Sequence, residues 1–439
     1  KPNDSSTPIH APTPLSPECN EDLQMKIAVI GAGVIGISTA YELATQGHQV
    51  SVFEANGAAA EEGSFSNTGV ASAGYASPWA KPGMVKHVLT HLWQRDNPLQ
   101  LNHLKLADWR WLWQWRKACN STTYQRNRES MLRLAEYSSL RLRTLTDTLN
   151  LDHEKNQGYL VLLRSERETK LMQASLEVLR DAGLNFKTLN AEEARAIEPA
   201  LNPETTLHQA IHFPDDDIGN CRQFSLLLKN EAELLGVQFH LNSKVHPLTP
   251  SAPKTIRTST HNPGEKFDAI VICAGLGSAS LLRPLGLRIP LAAMHGYVIS
   301  AAVREQLDSP RSGVMDEQYK IAISRLGQRI RVSGGFELGG SATRHDPDVI
   351  KMLYRVLDDW FPGAARTQAN VQIWKGSRPM LPDGPPIIGA SGIPGVWLNL
   401  GHGASGWALA CGSARAIADC IHGKSPDIDL QGLGLERFH

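Results

Sequence analysis

The stretch KIAVIGAGVIGISTAYELATQGHQVSVFE, residues 26–54, decides the fold. Residues 26–30 form a short apolar run, which indicates a buried parallel strand. Apolar residues at helical spacing then predict a helix over 34–46, and a second apolar run over 49–53 predicts a second strand. This order of elements predicts a βαβ unit at the start of an α/β fold.

Three glycines follow the first strand at G-x-G-x-x-G spacing. Gly31 permits a tight turn, Gly33 lets the backbone approach a pyrophosphate, and Gly36 lets the helix pack close to the strand. Glu54 ends the second strand, where an acid can accept hydrogen bonds from a ribose diol. Because a helix N-terminus attracts phosphate, the unit predicts a bound dinucleotide. The alternative is a plain βαβ unit with incidental glycines.

A loop rich in glycine and serine, residues 58–79, comes after Glu54. A simple nicotinamide-binding Rossmann domain would continue with another βα unit here. This loop can instead run along the pyrophosphate and carry Ser66, Asn67 and Gly69 toward the far end of the cofactor. The loop therefore favours FAD over NAD.

Composition limits the function classes. A chain of 439 residues predicts two domains or two interleaved lobes. Lysine plus arginine equals aspartate plus glutamate at 44 each, which argues against a nucleic-acid-binding protein. The six cysteines lack zinc-site spacing, and Asp215–Asp217 is interpreted as a solvated turn, so no metal is predicted. No apolar run is long enough to predict a transmembrane helix.

Four of the ten tryptophans stand in the stretch DWRWLWQW, residues 108–115. At helical pitch, Trp109 and Trp113 share one face, and Trp111 and Trp115 share another. One interpretation is aromatic packing between helices. The other is a helix at a membrane interface, with tryptophan at the depth of the lipid headgroups.

Later segments return to the nucleotide-binding pattern. Residues 267–273 predict a buried strand beside the first β–α turn, so much of the preceding chain belongs to an insertion from another lobe. The β-type runs over 290–336 predict a mainly antiparallel sheet. A second strand–glycine–helix unit over 395–421 can aim a helix N-terminus at the negative charge of a reduced flavin.

With these features in place, the chain resembles the bacterial FAD-dependent D-amino acid dehydrogenases (small subunit), a family in the D-amino acid oxidase/glycine oxidase superfamily. The resemblance runs from about residue 25 to residue 425. Its motifs are AVIGAGVIGISTAYELA, EEGSFSNTGVASAGYASPWAKPG, RNRESMLRLAEYSSL, QYKIAISRLGQRIRVSGGFELGG, GSRPMLPDGPPIIG and LNLGHGASGWALACGSARAIADCI. The second and the last two are more specific than the glycine fingerprint.

The resemblance implies an α/β fold with an α+β second lobe. A Rossmann-type FAD-binding domain is expected, interleaved with a substrate domain built on a mainly antiparallel sheet. The expected ranges are a flexible leader at 1–24, the FAD-binding domain at 25–82, 195–288 and 373–425, the substrate/helical domain at 83–194 and 289–372, and a C-terminal tail at 426–439.

The resemblance also implies an activity. FAD would be bound non-covalently and would accept a hydride at N5 from the amino acid Cα, giving a 2-oxo acid and ammonia after hydrolysis. Electrons would pass to a quinone or another respiratory acceptor, at the cytoplasmic face of the inner membrane or in the cytoplasm. Two alternatives stay open: a relative acting on glycine, sarcosine, proline, an opine or L-amino acids, and an FAD-binding subunit that needs a partner chain.

Four side chains are candidates for the catalytic pocket. The arginine of the family's R-P-x-x-P-D stretch corresponds to Arg378, whose planar guanidinium suits an α-carboxylate, although pairing with Asp383 is the alternative. The other candidates are Tyr319 as a second carboxylate contact, His402 near the flavin but not as a general base, and Tyr75 in the pocket wall. Where the family often has Lys-Gly-Tyr, this chain has His295-Gly296-Tyr297.

The cofactor-binding residues implied by the two glycine-rich units and by the resemblance form a larger set. They are Gly31, Gly33, Val34, Ile35, Gly36, Glu54, Ser66, Asn67, Thr68, Gly69, Val245, Ala274, Gly275, Gly376, Gly401, His402, Gly403, Ala404, Gly406 and Trp407.

Overall fold

The computed structural model describes residues 24–65, 67–91, 99–259 and 263–438. The predicted leader lies outside the described residues except for Gln24, and so does the predicted cofactor contact Ser66. The α-helices are α1 Val34–Thr45, α2 Met84–His91, α3 Leu106–Ala118, α4 Ser121–Thr148, α5 Glu166–Asp181, α6 Ala191–Ile197, α7 Cys221–Leu234, α8 Ser278–Leu282, α9 Pro347–Trp360 and α10 Gly406–Ile421.

The strands form two main sheets and one short ribbon. They are β1 Lys26–Ile30, β2 Gln49–Phe53, β3 Val70–Ala71, β4 Leu99–Asn102, β5 Asn156–Leu163, β6 Lys187–Leu189, β7 Gln209–Ile218, β8 Gln238–His240, β9 Thr255–Ile256, β10 Glu265–Lys266, β11 Ala269–Ile272, β12 Ala292–Ala302, β13 Gly313–Asp316, β14 Ile321–Leu326, β15 Arg329–Gly339, β16 Gln372–Met380, β17 Ile387–Ala390 and β18 Val396–Leu400. The ribbon is the antiparallel pair β9 and β10.

A six-stranded sheet carries the glycine turn, in the order β17–β18–β11–β1–β2–β8. The strands from β18 to β8 are parallel, and β17 runs antiparallel at the edge. In the centre, Ile30 of β1 pairs with Phe53 on one side and with Ile272 on the other. Strand β11 therefore returns beside the first β–α turn, as its apolar sequence predicts. Residues 27–30 are buried because apolar side chains pack on both faces of β1.

Helices α1, α4 and α10 form the layer behind the glycine turn. Gly412 of α10 faces α4 so closely that an added Cβ would lie 2.8 Å from the backbone of Ser138. Glu42 of α1 is fully buried and accepts hydrogen bonds from Arg141 of α4 at 2.7 and 2.9 Å. Arg415 of α10 lies 3.5 Å from the same carboxylate. Because a buried charge needs partners, this cluster ties the three helices together.

The second sheet has ten strands, eight of them in the order β16–β12–β15–β14–β13–β5–β7–β3, with β4 beside β15 and β6 beside β7. Its pairs are antiparallel except β13 with β5 and β15 with β4. Helix α9 packs on one face through Val349, Leu353 and Val356, and α5 packs on the other through Leu176 and Leu179. The expected fold, a Rossmann-type unit with a mainly antiparallel second lobe, is confirmed.

Two segments lie elsewhere than the predicted ranges place them. Strands β7 and β16 fall within the ranges 195–288 and 373–425, which were assigned to the FAD-binding domain. Both pair in the ten-stranded sheet instead. Sequence alone does not assign either segment to a sheet, and pairing with β5 and β12 places both in the larger one.

The solvated turn predicted at Asp215–Asp217 is wrong, because these residues belong to β7. Asp216 and Asp217 are buried. Asp216 accepts hydrogen bonds from the Ser72 hydroxyl and from the Ala73 backbone N–H at 3.2 Å. Burial raises the pKa of Asp216 to about 7. Three consecutive acids suggest carboxylates hydrated by solvent. At Asp216, buried hydrogen-bond donors of the protein take the place of water.

Candidate active site

The three glycines of the fingerprint have three different surroundings. Gly31 has a φ of +104°, and an added Cβ would lie 2.7 Å from the Cys273 carbonyl oxygen. At Gly36 an added Cβ would lie 1.9 Å from the carbonyl oxygen of Gly31. At Gly33 the nearest described atom would be Ser64 Oγ, at 3.4 Å. Gly31 and Gly36 therefore permit the turn to close, and Gly33 leaves space above the backbone for a ligand.

The N-terminus of α1 opens toward this space. Its first turn carries no acidic side chain, and the Val34 N–H donates a hydrogen bond to Ser64 Oγ at 3.0 Å. The helix dipole and the N–H groups of the first turn favour an anion here. Ser64 was missed at the sequence level, because its signal, one serine in a glycine-rich loop, does not show which helix it meets.

Glu54 is fixed at the other side of the turn. Its carboxylate accepts hydrogen bonds from the backbone N–H of Ala32 at 2.7 Å and of Asn56 at 2.9 Å. A carboxylate has about four lone-pair positions, so acceptor capacity remains for the hydroxyls of a ribose. The side chain lines the same cavity as Gly31 and Gly33.

A cavity of about 930 Å³ runs between the two sheets. Its volume is at the upper end of the usual range for ligand sites. The predicted cofactor contacts that line it are Gly31, Gly33, Val34, Ile35, Glu54, Asn67, Thr68, Val245, Ala274, Gly275, Gly376, Gly401, His402, Gly403, Ala404, Gly406 and Trp407. Gly36 and Gly69 are not among the described lining residues, and their roles lie in the packing behind the wall.

The loop around Asn67 is fastened to the second sheet. The Asn67 carbonyl oxygen accepts a hydrogen bond from Arg331 at 2.7 Å, and the Thr68 hydroxyl bonds to a serine of β15 at 2.5 Å. The Gly69 carbonyl oxygen accepts a hydrogen bond from Trp407 Nε1 at 3.2 Å. These contacts hold the loop against the second sheet and α10, and its course along a pyrophosphate stays a prediction.

His402 lies beneath the N-terminus of α10. It is buried, and its Nε2 lies 3.0 Å from Ser413 Oγ. Burial lowers its pKa to about 3, so the imidazole is neutral at physiological pH. An imidazole with so low a pKa is a weak base, and its hydrogen bond to Ser413 suits a structural or polar contact.

Arg378 lies on β16 and lines the cavity. Its guanidinium lies over Gly296, where an added Cβ would be 2.2 Å from a guanidinium nitrogen, and it donates to the Gly335 carbonyl oxygen at 3.3 Å. The alternative pairing with Asp383 does not form, because Asp383 accepts from Arg437 at 2.7 Å. Burial lowers the pKa of Arg378 to about 10, which leaves it charged at neutral pH. Among the described residues Arg378 has no carboxylate partner, so it is available to one on a ligand.

The placement of Tyr319 in the pocket is wrong. Tyr319 is not among the described residues that line the cavity. Its ring packs against the core under α9, 5.3 Å from the Arg164 guanidinium and 4.9 Å from that of Arg355. The tight turn between β13 and β14, with Lys320 at a φ of +53°, directs the two neighbours of the turn, Glu317 and Lys320, into the cavity instead.

Tyr75 lines the cavity, as predicted. Its hydroxyl donates to Glu317 Oε2 at 2.8 Å, and its ring meets that of Tyr159 edge-on at 6.1 Å. Burial, followed by the charge of Glu317, raises the pKa of Tyr75 well above its ordinary value. The phenol is therefore a neutral wall group with its proton committed to a carboxylate.

His295, where the resemblance suggests a lysine, lies on β12. It is not among the described lining residues, and its Nδ1 lies 2.8 Å from Ser377 Oγ. On the neighbouring strand, Lys375 is buried and pairs with Glu337 at 2.6 Å. Burial, followed by the charge of Lys375, lowers the pKa of His295. A lysine is thus present one strand away, behind the cavity wall.

The tryptophan helix α3 has the two faces predicted for it. Trp111 and Trp115 are 3% and 4% exposed and pack against Trp79, and Trp111 Nε1 donates to the Met380 carbonyl oxygen at 3.0 Å. Trp109 and Trp113 are 59% and 56% exposed. The face with Trp111 and Trp115 therefore packs inside the protein. The face with Trp109 and Trp113 is exposed to solvent, and the membrane interpretation concerns this face alone.

The described residues contain neither a cluster of metal-binding side chains nor a membrane-spanning helix. Nowhere in the described ranges do three or more His, Cys, Asp or Glu side chains gather as a metal site. Among the helices of the same ranges, none combines the length and the apolar character needed to cross a membrane.

Comparison with known proteins identifies the family. Residues 26–420 match the family described as DAO, FAD dependent oxidoreductase. The chain belongs to this family. The oxidoreductase is 39% identical over 417 residues to a D-amino acid dehydrogenase of Cereibacter sphaeroides, covering 94% of this chain and 95% of the relative. The resemblance inferred from the motifs is therefore confirmed.

Solved structures share the fold of this oxidoreductase. Glycine oxidase from Geobacillus kaustophilus superimposes with a TM-score of 0.75 at 19% identity, covering 94% of this chain and 98% of the other. L-alpha-glycerophosphate oxidase from Mycoplasma pneumoniae, solved with FAD bound, gives a TM-score of 0.68 at 19% identity, covering 92% and 97%.

The residues of this chain fit FAD. The open backbone at Gly33, the N-terminus of α1 and the free acceptor capacity of Glu54 provide the pyrophosphate and ribose contacts of a dinucleotide. A second helix N-terminus, that of α10, lines the same cavity beyond them. The choice of FAD over NAD from the loop 58–79 is confirmed by the family.

Proposed function

We propose that this oxidoreductase oxidises D-amino acids to 2-oxo acids and ammonia. Arg378 carries the proposal: it is a guanidinium enclosed beside Gly296, without a carboxylate partner among the described residues, in the cavity that begins at the glycine turn. A planar bidentate donor in this position suits the α-carboxylate of an amino acid. The D-amino acid dehydrogenases at 37–39% identity support the choice of enantiomer.

The side chains of the site orient the substrate rather than abstract its proton. Arg378 holds the α-carboxylate, and the neutral phenol of Tyr75 forms part of the wall. His402 is neutral and hydrogen-bonded to Ser413, so the proposal gives it a polar contact without proton transfer. Bound FAD supplies the acceptor for the hydride from Cα. The substrate amine enters this reaction in its neutral form.

For the electron acceptor we propose a quinone or another respiratory component, reached from the membrane surface. The exposed tryptophans of α3, with Leu106 at 70% exposure, support this because tryptophan favours the lipid headgroup region. Lys117 stacks on Trp113 with its Nζ 3.5 Å from the ring centroid, which places a positive charge at the same surface. The proposed location is the cytoplasmic face of the inner membrane, or the cytoplasm if α3 contacts protein instead.

Anaerobic reduction of the visible flavin band tests the proposal. D-alanine and L-alanine are added in parallel to the purified holoenzyme, followed by a panel of D-amino acids. Bleaching by D-isomers alone is the expected result. Bleaching by L-isomers would overturn the enantiomer, and an absence of bleaching by every amino acid would point to a secondary amine or a missing partner chain.

A further inference from the structure

The cavity has a second charged end. Lys81, Arg128, Lys320 and Glu317 line it. These charged groups are close enough to influence one another. Burial, followed by the charge of Lys320, lowers the pKa of Lys81. The charge of Arg128 also lowers this pKa, and the charge of Glu317 raises it. For Arg378, in contrast, burial alone accounts for the lowered pKa. The contacts are separate as well, because Arg378 lies over Gly296 and donates to the Gly335 carbonyl oxygen, whereas Arg128 contacts Tyr124 and Ser175.

The acid at the second end is already neutralised. Glu317 is 9% exposed, and it accepts hydrogen bonds from Lys320 Nζ and, at 2.8 Å, from the Tyr75 hydroxyl. A carboxylate paired on both oxygens does not attract a cationic side chain of a ligand strongly. Lys81 and Arg128 then leave two net positive charges at this end of the cavity.

These two cations lack partners of opposite charge. Among the described residues neither Lys81 nor Arg128 forms an ion pair. Arg128 is 4% exposed, and its guanidinium lies 2.9 Å from the Tyr124 hydroxyl and donates to the Ser175 carbonyl oxygen at 3.1 Å. Its Nε is buried without an acceptor among the described atoms. A buried cation without a counter-charge, such as Arg128, is unfavourable unless an anion is bound nearby, and Lys81, which is half-buried, lines the same cavity.

We propose that this second end binds a carboxylate on the substrate side chain, so that D-amino acids with acidic side chains are preferred substrates. The inference rests on the proposed function, because it takes Arg378 as the site of the α-carboxylate. A dicarboxylic substrate would then place one carboxylate at each end of the cavity, with its Cα between them. Charge-assisted hydrogen bonds from Lys81, together with the positive charge of Arg128, would select the acid over its neutral amide.

D-glutamate and D-glutamine provide the comparison, since they differ in charge and hardly in shape. With the holoenzyme and an artificial electron acceptor, we expect kcat/KM for D-glutamate to exceed that for D-glutamine by about tenfold or more, because hydrogen bonds to charged groups are the stronger ones. D-alanine, which has no side-chain carboxylate, distinguishes a failure of the proposed function from a failure of the side-chain preference. If D-alanine and every other D-amino acid fail as substrates, the proposed function fails; if D-alanine reacts and D-glutamine equals D-glutamate, the inference alone fails. A preference for D-lysine would assign the second end to Glu317 and overturn the inference.

A pair of lysine substitutions assigns the effect to this end. Lys81→Met should reduce the D-glutamate to D-glutamine ratio by about tenfold, since one charged donor is lost. Lys86→Met, five residues further on at an exposed position of α2, is the matched control and should keep the wild-type ratio. An unchanged ratio in Lys81→Met would contradict the inference.

A binding measurement on the wild-type protein does not depend on the variants. Titration of the oxidised flavin spectrum should give a lower Kd for glutarate than for glutaramate, which lacks the second charge. Equal dissociation constants would remove the second carboxylate site, whatever the kinetics show.

Discussion

Two regions of the cavity, the glycine turn and the surroundings of Arg378, are built in different ways. The glycine turn is made from one continuous stretch, in which Gly31, Gly33 and Gly36 lie within six residues and Glu54 follows after one helix and one strand. The Arg378 end is assembled from three strands, where Gly296 of β12 and Gly335 of β15 surround a side chain of β16. A local site can be read from spacing, whereas an assembled site requires knowledge of which strands pair.

The strongest test of the local end is a substitution that closes its turn. In Gly36→Ala the new Cβ would lie 1.9 Å from the Gly31 carbonyl oxygen, so the helix must move away from the strand. We expect protein that is purified without flavin and has a lowered Tm, measured by the ratio of absorbance at the flavin and protein bands and by thermal unfolding.

Gly33→Ala is the matched control for this substitution. Its Cβ would meet Ser64 Oγ at 3.4 Å, an ordinary contact, so the apoprotein should keep its Tm while flavin binding weakens. If Gly36→Ala retained full flavin, or if Gly33→Ala lost stability to the same extent, the separation between turn closure and cofactor approach would be wrong.

At the assembled end, Arg378→Ala should affect the substrate and leave the cofactor in place. Loss of a charged partner for an enclosed carboxylate costs about 3–5 kcal/mol, which corresponds to a fall in kcat/KM of roughly 150- to 5,000-fold. The fall should appear mainly in KM for amino acids, measured by steady-state kinetics, with normal flavin content.

Asp383→Asn distinguishes this role from the alternative pairing. Since Asp383 pairs with Arg437 and not with Arg378, its loss should leave KM for the amino acid near the wild-type value. Equal effects of both substitutions on KM would mean that Arg378 acts through Asp383 and not on the substrate.

A smaller effect is expected at Glu54. The backbone N–H groups of Ala32 and Asn56 donate to different oxygens of Glu54, so Glu54→Gln keeps an acceptor for only one of them and loses the charge and acceptor capacity that a ribose would use. The Kd for flavin should rise by roughly 10- to 150-fold, because a hydrogen bond to a charged group contributes about 1.5–3 kcal/mol. Fluorescence of released FAD during dilution measures this, and unchanged retention would contradict the ribose role.

The sequence predicted most of the fold because its strands and helices carry strong periodic patterns. The parallel unit, the return of β11 and the antiparallel second sheet all follow from apolar runs and turns. The same patterns could not assign β7, since a buried strand fits either sheet and Asp215–Asp217 resembles a solvated turn until its buried partners are known.

The site was predictable to the extent that its residues are contiguous or belong to family motifs. Ser64 and Gly296 were missed, although an isolated glycine within a strand pattern is a signal for close approach of another group. Tyr319 was misplaced because a turn of a few residues decides whether it or Glu317 enters the cavity. Side-chain direction at such a turn depends on the backbone, which spacing does not give.

Helix α3 at the protein surface also combines a local and an assembled feature. Its periodicity predicts two faces, and packing against the rest of the protein decides which face is exposed. Trp109→Ser with Trp113→Ser should leave Tm nearly unchanged and reduce co-sedimentation with vesicles of anionic lipid, because both side chains are more than half exposed. Trp111→Ser is the contrasting variant, and it should lower the free energy of unfolding by about 3–5 kcal/mol because the ring is buried against Trp79. If the wild-type protein does not bind vesicles at all, the membrane proposal fails, and Trp109 and Trp113 contact protein or solvent instead. The result for Trp111→Ser does not depend on this outcome.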